Sequence, residues 1–292
     1  MGAQATSVEE QIALLKSRGM VIDMPIEKAK EILLDIGYYR LGFYWKCFEC
    51  DDIHNLLPET KFSDVVSLYY LDVDLRELLL KYIYRIEVHF RTQIVYIVSN
   101  EYKTSPTWFV DSKVMSANYV ANFFKFYTED FKKNNKPIDK HHKKYINDKY
   151  APAWKTIEFF TFGASLKLFR CLKDEKLKEK VAQSYKLRSL KVFENFIQSV
   201  VYVRNMCSHG GVLFDLSQPL GVHKIPNSAG STYQFTNRHS LDASIKVIRY
   251  LLFQISKNRE IDLCVSLNNL FLKHQNNLAL KKIIELEIGY KL

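Results

Sequence analysis

The strongest constraint on the fold is a helical pattern of apolar residues that runs through most of this chain. Across residues 63–100, apolar side chains recur at the spacing of one helix face, and Asp72 is the point where the pattern could break. Three further segments, 152–173, 189–209 and 240–256, keep the same period. Because little sequence is left for a β-sheet, we predict an all-α protein with a bundle built from these four segments.

Helix-end signals locate two more helices near the start of the chain. Ser7–Glu10 has the pattern of a capping box, in which the serine hydroxyl and the glutamate carboxylate satisfy backbone amides at a helix start. The helix that it opens is expected to run to Gly19, and a second is expected to start at Pro25 and end at Gly37. The aromatic sequence of residues 37–48 alternates weakly, which suits a short strand or an irregular aromatic segment.

The rest of the chain adds short helices and one long loop. A helix is expected after Ser116 and a charged one over 174–184, whereas prolines and glycines make 217–239 a surface loop, with or without a small hairpin. We divide the chain into an N-terminal helical and aromatic segment, 1–60, and a helical domain, 61–292. The alternative is that the two form one continuous compact unit.

Charge favours a polyanionic partner. The 292 residues carry a formal net charge of +10, and excess positive charge favours partners such as nucleic acid, RNA included, or an acidic membrane face. The alternative is a basic protein whose many aromatic residues serve only its core. The densest lysine run lies between residues 132 and 149. Its candidate phosphate contacts are Lys132, Lys133, Lys140, Lys143 and Lys144. We interpret the run as a solvated connector with incidental RNA contact rather than a dedicated phosphate-contacting arm, and we expect the adjacent His141 and His142 to be exposed.

Cysteine usage and hydropathy favour a reducing cytoplasm. Five scattered cysteines, an odd number, do not make a secreted disulfide framework. The first residues lack the apolar centre of a signal peptide, and no segment has the uncharged length of a membrane span. We therefore expect a cytoplasmic protein with no membrane partner.

Sequence motifs for cofactors and metals are absent. There is neither GxxxxGK[ST] nor GxGxxG, so no nucleotide-binding loop is predicted. Cys47 and Cys50 form one Cys-x-x-Cys pair with His54 nearby, but a structural zinc site needs four ligands. The remaining cysteines resemble small core residues within helical runs: Cys171, Cys207 and Cys264. We expect no cofactor and no metal.

The sequence VRNMCSHGG, residues 203–211, ends an apolar helix with three polar side chains. Arg204, Asn205 and His209 come together where two glycines stop the helix. A guanidinium is a good clamp for a phosphate, and histidine is the side chain that exchanges a proton near neutral pH. With no metal ligands in the pattern, the pair suits RNA cleavage in which the ribose 2′-OH attacks its own phosphate, and Asn205 would orient the imidazole.

A purely structural role is the alternative for these residues. Arg204 could pair with a carboxylate such as Glu194 or Glu87, and His209 could interact only with the helix end. Spacing alone does not decide between the two roles.

The motif Arg-Asn-x-x-x-His near the end of an apolar helix resembles the signature of the HEPN ribonuclease superfamily. More narrowly, the chain resembles the bacterial Abi family of AbiD- and AbiF-like abortive-infection proteins over roughly residues 8–215. The segments that carry this resemblance are, in order, EEQIALLKSRGMVID, AKEILLDIGYYRLGFYW, YLDVDLRELLLKYIYRIEVHFRTQI, APAWKTIEFFTFGASLKLF and VRNMCSHGGVLFD.

The resemblance implies a HEPN-like helical bundle and a metal-independent endoribonuclease of phage defence or a toxin–antitoxin system, partnered in some relatives by a small structured RNA. It implies Arg204 and His209 as the catalytic pair and Asn205 as their supporting residue. At 210–212 this chain has Gly-Gly-Val, whereas many relatives have a larger residue and an arginine there, so one phosphate contact is missing. The alternatives are a non-catalytic RNA-binding or regulatory module, and an antitoxin-like partner that acts through protein contacts.

The number of motifs per chain bears on the oligomeric state. Each chain has one RNxxxH motif, and the spacing from Arg85 to His89 is one residue too short to be a second. Transfer of the phosphodiester to the 2′-OH needs one proton removed and another donated. A two-fold axis would bring two copies of Arg204 and His209 to one site, as HEPN relatives imply. We predict a homodimer, or a dimer bridged by RNA, with a composite site between two 189–209 helices.

Overall fold

All regular secondary structure in the described residues is helical. The structure, a computed structural model, describes residues 4–290, which contain fourteen α-helices and no β-strand. In chain order these are α1 (Val8–Ser17), α2 (Ile26–Ile36), α3 (Tyr38–Trp45), α4 (Phe62–Glu101), α5 (Ala117–Asn122), α6 (Glu129–Asn134), α7 (Lys136–Lys144), α8 (Ala153–Thr156), α9 (Phe162–Cys171), α10 (Glu175–Gln183), α11 (Leu190–Ser208), α12 (Leu241–Ile255), α13 (Lys257–Leu272) and α14 (Leu278–Ile283). The predicted all-α fold is confirmed. None of these helices combines the length and hydropathy needed to cross a membrane.

The described residues form two compact units. Unit 1 comprises residues 4–78, 207–216 and 265–290, and unit 2 comprises residues 79–206 and 217–264. The divisions fall within α4, α11 and α13, so each of these helices contributes residues to both units.

In unit 1, the predicted helix ends are confirmed. The Ser7 hydroxyl accepts a hydrogen bond from the backbone N–H of Glu10 at 3.2 Å, and the Glu10 carboxylate accepts one from the Ser7 N–H at 2.7 Å. Helix α2 follows Pro25 and ends at Gly37, whose φ of +94° is in the region that glycine adopts without strain. The sequence thus predicted both the capping box at the start of α1 and the glycine that ends α2.

Residues 38–48 of this segment are helical, so the strand or irregular segment predicted there is wrong. They form α3 and a 3₁₀ turn at Lys46–Phe48. The side chains of Leu41, Tyr44 and Trp45 are buried, at the three- and four-residue spacing of a helix face. The weak alternation of aromatic residues therefore reflects composition rather than a strand.

Helix α4 has no break at Asp72. The Asp72 side chain is fully buried and accepts a hydrogen bond from the Tyr44 hydroxyl at 2.9 Å and another from the Arg76 guanidinium. Because these partners occupy the carboxylate, it does not compete for backbone amides of its own helix. The periodic pattern therefore continues through this charged position.

Unit 2 has an aromatic core. The ring of Phe90 on α4 lies 5.6 to 6.0 Å from the rings of Phe162 and Phe169 on α9 and Phe193 on α11. These four rings are buried, and tilted ring pairs at such distances add to the burial of apolar area. Helix α12 joins this core through Tyr250, whose hydroxyl donates to the Tyr185 carbonyl at 3.1 Å.

The helix predicted over residues 152–173 is interrupted, which corrects that prediction. It consists of α8, a 3₁₀ turn at Ile157–Phe159, and α9. Phe160 and Thr161 between them are extended, and the Thr161 hydroxyl accepts from the Ala164 N–H at 3.2 Å. Threonine at this position therefore starts a new helix instead of continuing the old one.

The segment 217–239 is a loop without a hairpin. It contains two 3₁₀ turns, Asn227–Ala229 and Ser231–Tyr233. The buried Gln218 fastens its start, because its amide donates to the hydroxyls of Ser199, at 2.7 Å, and Ser244. Backbone hydrogen bonds also join its two ends, from the Gln218 N–H to the His239 carbonyl and from the Val222 N–H to the Arg238 carbonyl, each at 2.8 Å, without forming a strand.

Candidate active site at the end of α11

Helix α11 changes character along its length. Its inward face is fully buried, with Phe193, Phe196, Ile197, Val200 and Val203 all at 0% exposure. In its last two turns Arg204 is half-buried and Asn205 is exposed, and the exposed His209 follows the final helical residue. The turn continues into Gly210, whose φ of +66° is left-handed. The apolar face therefore anchors a helix end that presents polar side chains.

In unit 2, a buried carboxylate from α4 holds Arg204. Nε of Arg204 lies 3.9 Å from Oε2 of Glu87. Nη2 of Arg91 donates to Oε1 of the same glutamate at 3.3 Å. Glu194, the other carboxylate that the sequence suggested, instead binds Arg170 at 3.1 Å. Because Arg91 lies closer to Glu87 than Arg204 does, the carboxylate neutralises the charge of Arg91 more than the charge of Arg204.

The Glu87 carboxyl is an unusual anchor because it is buried. Burial raises the pKa of Glu87 above its ordinary value, and the positive charges of Arg91 and Arg204 oppose that change. A buried carboxylate of this kind needs its cationic partners, so the arginines and the glutamate hold one another in place.

Arg204 also contacts its neighbour in the sequence. Its Nη1 donates to Oδ1 of Asn205 at 3.4 Å, so Asn205 supports the arginine.

Arg204 and Asn205 belong to unit 2, whereas His209 belongs to unit 1. Within residues 4–290, the His209 imidazole makes no hydrogen bond. The side chain is thus exposed and available to a ligand.

In unit 1, three buried side chains hold the segment that follows His209. The Asp72 carboxylate accepts hydrogen bonds from the backbone N–H groups of Leu213 and Phe214, each at 2.9 Å. Arg76 donates to the Gly211 carbonyl at 2.9 Å and to the Tyr44 hydroxyl at 3.2 Å. This network fixes the backbone of 211–214 immediately after the motif.

The electrostatics of this network depend on its ion pair. Burial raises the pKa of Asp72, and the charge of Arg76 together with the two backbone amides opposes that change. Burial likewise raises the pKa of the Tyr44 phenol, which therefore remains a donor to Asp72. Sequence reasoning missed Asp72 and Arg76 as site residues. The signal was present, since two opposite charges four residues apart lie on an apolar helix face.

The five lysines predicted to contact RNA lie on two short helices of unit 2. Helix α6 and helix α7 carry Lys132, Lys133, Lys140, Lys143 and Lys144. Lys132 lies 2.7 Å from Glu129, and Lys143 lies 2.6 Å from Asp139. The remaining three are exposed, so this surface retains unpaired positive charge that a phosphate could contact.

The neighbouring histidines are less exposed than predicted, which corrects that interpretation. His141 is 5% exposed, and its Nε2 lies 2.9 Å from Oδ2 of Asp148. His142 is half-buried and its Nε2 lies 2.9 Å from the Tyr127 hydroxyl. Both rings therefore stabilise the end of α7 through these contacts.

The Cys-x-x-Cys segment is poorly suited to a metal. No group of three metal-ligating side chains occurs within residues 4–290. Burial raises the pKa of the Cys47 thiol to about 12, and this thiol donates to the Tyr44 carbonyl at 3.2 Å. Cys50 is exposed, while His54 contacts Glu49 at 3.1 Å. A metal would need the thiolate that this environment disfavours.

Comparison with known proteins gives one match. Residues 31–215 match the family described as Abi-like protein, and this range covers more than half of the chain. It includes α4 and α11, and therefore Glu87, Arg204 and His209. No curated protein and no solved structure matches the chain.

Proposed function

This chain belongs to the Abi-like protein family, and we propose that it is a metal-independent endoribonuclease of the HEPN type, acting in abortive infection or a toxin–antitoxin system in the bacterial cytoplasm. The observation that carries the proposal is the end of α11. There a buried carboxylate holds Arg204 through an ion pair, and an exposed His209 follows the helix.

The reaction divides between these two side chains. The ribose 2′-oxygen attacks the adjacent phosphorus, the bond from phosphorus to the 5′-oxygen breaks, and a 2′,3′-cyclic phosphate and a 5′-hydroxyl result. His209 takes the proton from the 2′-OH, and the leaving 5′-oxygen gains one. The Arg204 guanidinium stabilises the negative charge that develops on the phosphate oxygens, and Asn205 orients it.

A second copy of the chain would supply the second proton carrier. After it removes the 2′ proton, a single His209 is an imidazolium. To protonate the leaving 5′-oxygen as well, the same ring would have to reach the opposite side of the phosphorus. In a homodimer two copies of Arg204 and His209 share the site, so one imidazole acts as base and the other as acid. Mixing excess His209→Ala chains into wild type, with exchange of subunits, should then depress activity more than dilution alone.

The identity of the nucleophile tests the proposal. An RNA substrate should be cleaved to a 2′,3′-cyclic phosphate, and one with 2′-deoxyribose at every position of the strand should remain intact although it binds. Cleavage of the deoxy strand would exclude this chemistry. Binding of RNA with no cleavage of either strand would favour a non-catalytic RNA-binding module.

A further inference from the structure

Arg91, the closer partner of Glu87, lines a small cavity of unit 2. The cavity has a volume of about 210 Å³ and is lined by Arg91, Thr92, Val95, Tyr96, Trp154 and Glu158. Typical small-molecule sites measure about 300–1,000 Å³, so this cavity is suited to a single planar group rather than a whole cofactor.

Two ion pairs connect this cavity to Arg204. Arg91 contacts Glu87 at 3.3 Å, and Glu87 contacts Arg204 at 3.9 Å. On its other side Arg91 donates to the Glu158 carbonyl and lies 4.0 Å from the Glu158 carboxylate. Arg91 therefore belongs both to the cavity lining and to the charge network that includes Arg204.

The side chains of the cavity leave binding capacity unused. Trp154 is 53% exposed and Tyr96 is 66% exposed, so two aromatic faces are in contact with solvent. The Arg91 side chain is 8% exposed, yet its Nε has no hydrogen-bond partner within residues 4–290. A buried donor without a partner is costly, and a ligand that brings an acceptor or an ordered water would relieve that cost.

The chemistry of these groups selects one kind of base. Exposed aromatic rings stack on the faces of unpaired bases. The Glu158 carboxylate is 62% exposed and accepts hydrogen bonds only. Guanine presents two adjacent N–H donors, N1–H and the N2 amino group, which match the two oxygens of a carboxylate. Uracil presents a single donor, and hypoxanthine lacks the N2 amino group.

We propose that this cavity binds an unpaired guanine next to the phosphate held at Arg204, with Trp154 and Tyr96 stacking on the base and Glu158 accepting from its N1–H and N2 groups. As a substrate preference, this assignment rests on the proposed ribonuclease function. The base site itself can be measured without cleavage.

Tryptophan fluorescence gives a direct reading of the cavity. Of the three tryptophans, Trp45 and Trp108 are buried and Trp154 is exposed, so a ligand that stacks here quenches the exposed one. We expect titration of the full-length chain with GMP to quench Trp154 with an affinity about 5- to 150-fold higher than that of UMP, the discrimination of a bidentate base contact. IMP should fall between the two. Equal affinities for GMP, IMP and UMP would overturn the assignment of guanine.

Matched variants test the assignment residue by residue. Tyr84 and Tyr96 are both 66% exposed on α4, and only Tyr96 lines the cavity. Tyr96→Ala should weaken GMP binding, whereas Tyr84→Ala should not. Glu158→Gln should remove the preference for GMP over IMP, while Glu179→Gln, at an exposed carboxylate of α10, should keep it. Equal effects of Tyr84→Ala and Tyr96→Ala would place the ligand elsewhere.

The outcomes for the base site and for the ribonuclease function are separable. GMP quenching with no RNA cleavage would retain the base site and refute the ribonuclease function. RNA cleavage with no base preference and no quenching would retain the ribonuclease function and overturn the base site. If both hold, mapped cleavage positions should be enriched for guanine, and Glu158→Gln should remove that enrichment.

Discussion

Oε2 of Glu87, a buried carboxylate of α4, lies 3.9 Å from Nε of Arg204 near the end of α11. The sequence left open whether such a pair would make Arg204 purely structural. An ion pair at one edge of the guanidinium orients the group, and the planar fork leaves other N–H donors for a phosphate. The closer contact of Glu87 with Arg91 keeps positive charge at Arg204.

Glu87→Gln tests whether the position of Arg204 matters for cleavage. We expect the loss of the anchoring charge to lower kcat for RNA cleavage by up to about 100-fold with little change in KM, because misplacement by about 1 Å has this effect on catalysis. Steady-state kinetics on labelled RNA measures it. Glu77→Gln, at an exposed glutamate of the same helix, is the control and should match wild type. A Glu87→Gln enzyme with unchanged kcat would remove the positioning role.

Asp72→Asn tests the network that fixes residues 211–214. Asparagine keeps one acceptor and places an NH₂ group against the donors of Arg76 and Tyr44, so a buried charge loses its partner. We expect the free energy of unfolding to fall by about 3–5 kcal/mol, measured by urea denaturation. Asp74→Asn changes an exposed residue two positions along and should leave stability within about 0.5 kcal/mol of wild type. Equal effects of the two substitutions would contradict the network.

His89 should make stability depend on pH. Its Nδ1 lies 2.9 Å from the Tyr185 hydroxyl, and burial, with a further contribution from Arg85, lowers its pKa below the ordinary value of 6.5. The folded chain therefore binds fewer protons here than the unfolded chain. The contribution is complete above pH 6.5 and is lost as the pH falls through the folded-state pKa.

The measurement for His89 is the melting temperature at pH 7.5 and pH 5.5. His89→Gln can still bond the Tyr185 hydroxyl but cannot gain a proton, so its melting temperature should drop less than that of wild type. All other titrating groups are common to the two proteins and cancel in the comparison. An equal drop would show that His89 does not contribute.

The lysines of α7 should contribute to RNA affinity through salt-dependent contacts. We expect the double variant Lys143→Glu/Lys144→Glu to weaken RNA binding and reduce the slope of log affinity against log salt by about 1 to 2, while single-turnover cleavage persists at saturation. Fluorescence anisotropy at several salt concentrations measures it. Lys103→Glu/Lys113→Glu alters net charge equally at exposed lysines elsewhere in unit 2. If both double variants weaken binding alike, net charge rather than this surface is responsible.

Local signals in the sequence predicted most of the fold. The capping box at Ser7 and the glycine stop at Gly37 each act within one helical turn, so their outcomes were predictable from neighbouring residues. The break at Thr161 was missed because threonine can either continue a helix or cap one, and its own hydroxyl bond decided the outcome. Aromatic residues in α3 were likewise ambiguous in a short segment.

The candidate site was predictable only in part, for a different reason. Arg204, Asn205 and His209 are close in sequence, and the glycines that end the helix mark them. Their supports come from distant parts of the chain, as Glu87 does for Arg204. The sequence suggested Glu87 and Glu194 equally as ion-pair partners of Arg204. Glu194 instead contacts Arg170, and this tertiary contact could not be predicted from neighbouring residues in the sequence.

Incubation of the purified chain with labelled RNA in EDTA is the direct test of whether His209 carries out RNA cleavage without a metal. His209→Ala is the test variant, and His54→Ala, at another exposed histidine of unit 1, is the control. We expect cleavage by wild type and by His54→Ala. We also expect a loss of at least about 100-fold in His209→Ala, the contribution of a general acid–base group, with an unchanged circular dichroism spectrum. Absence of cleavage by wild type, or equal cleavage by His209→Ala, would overturn the catalytic role of His209.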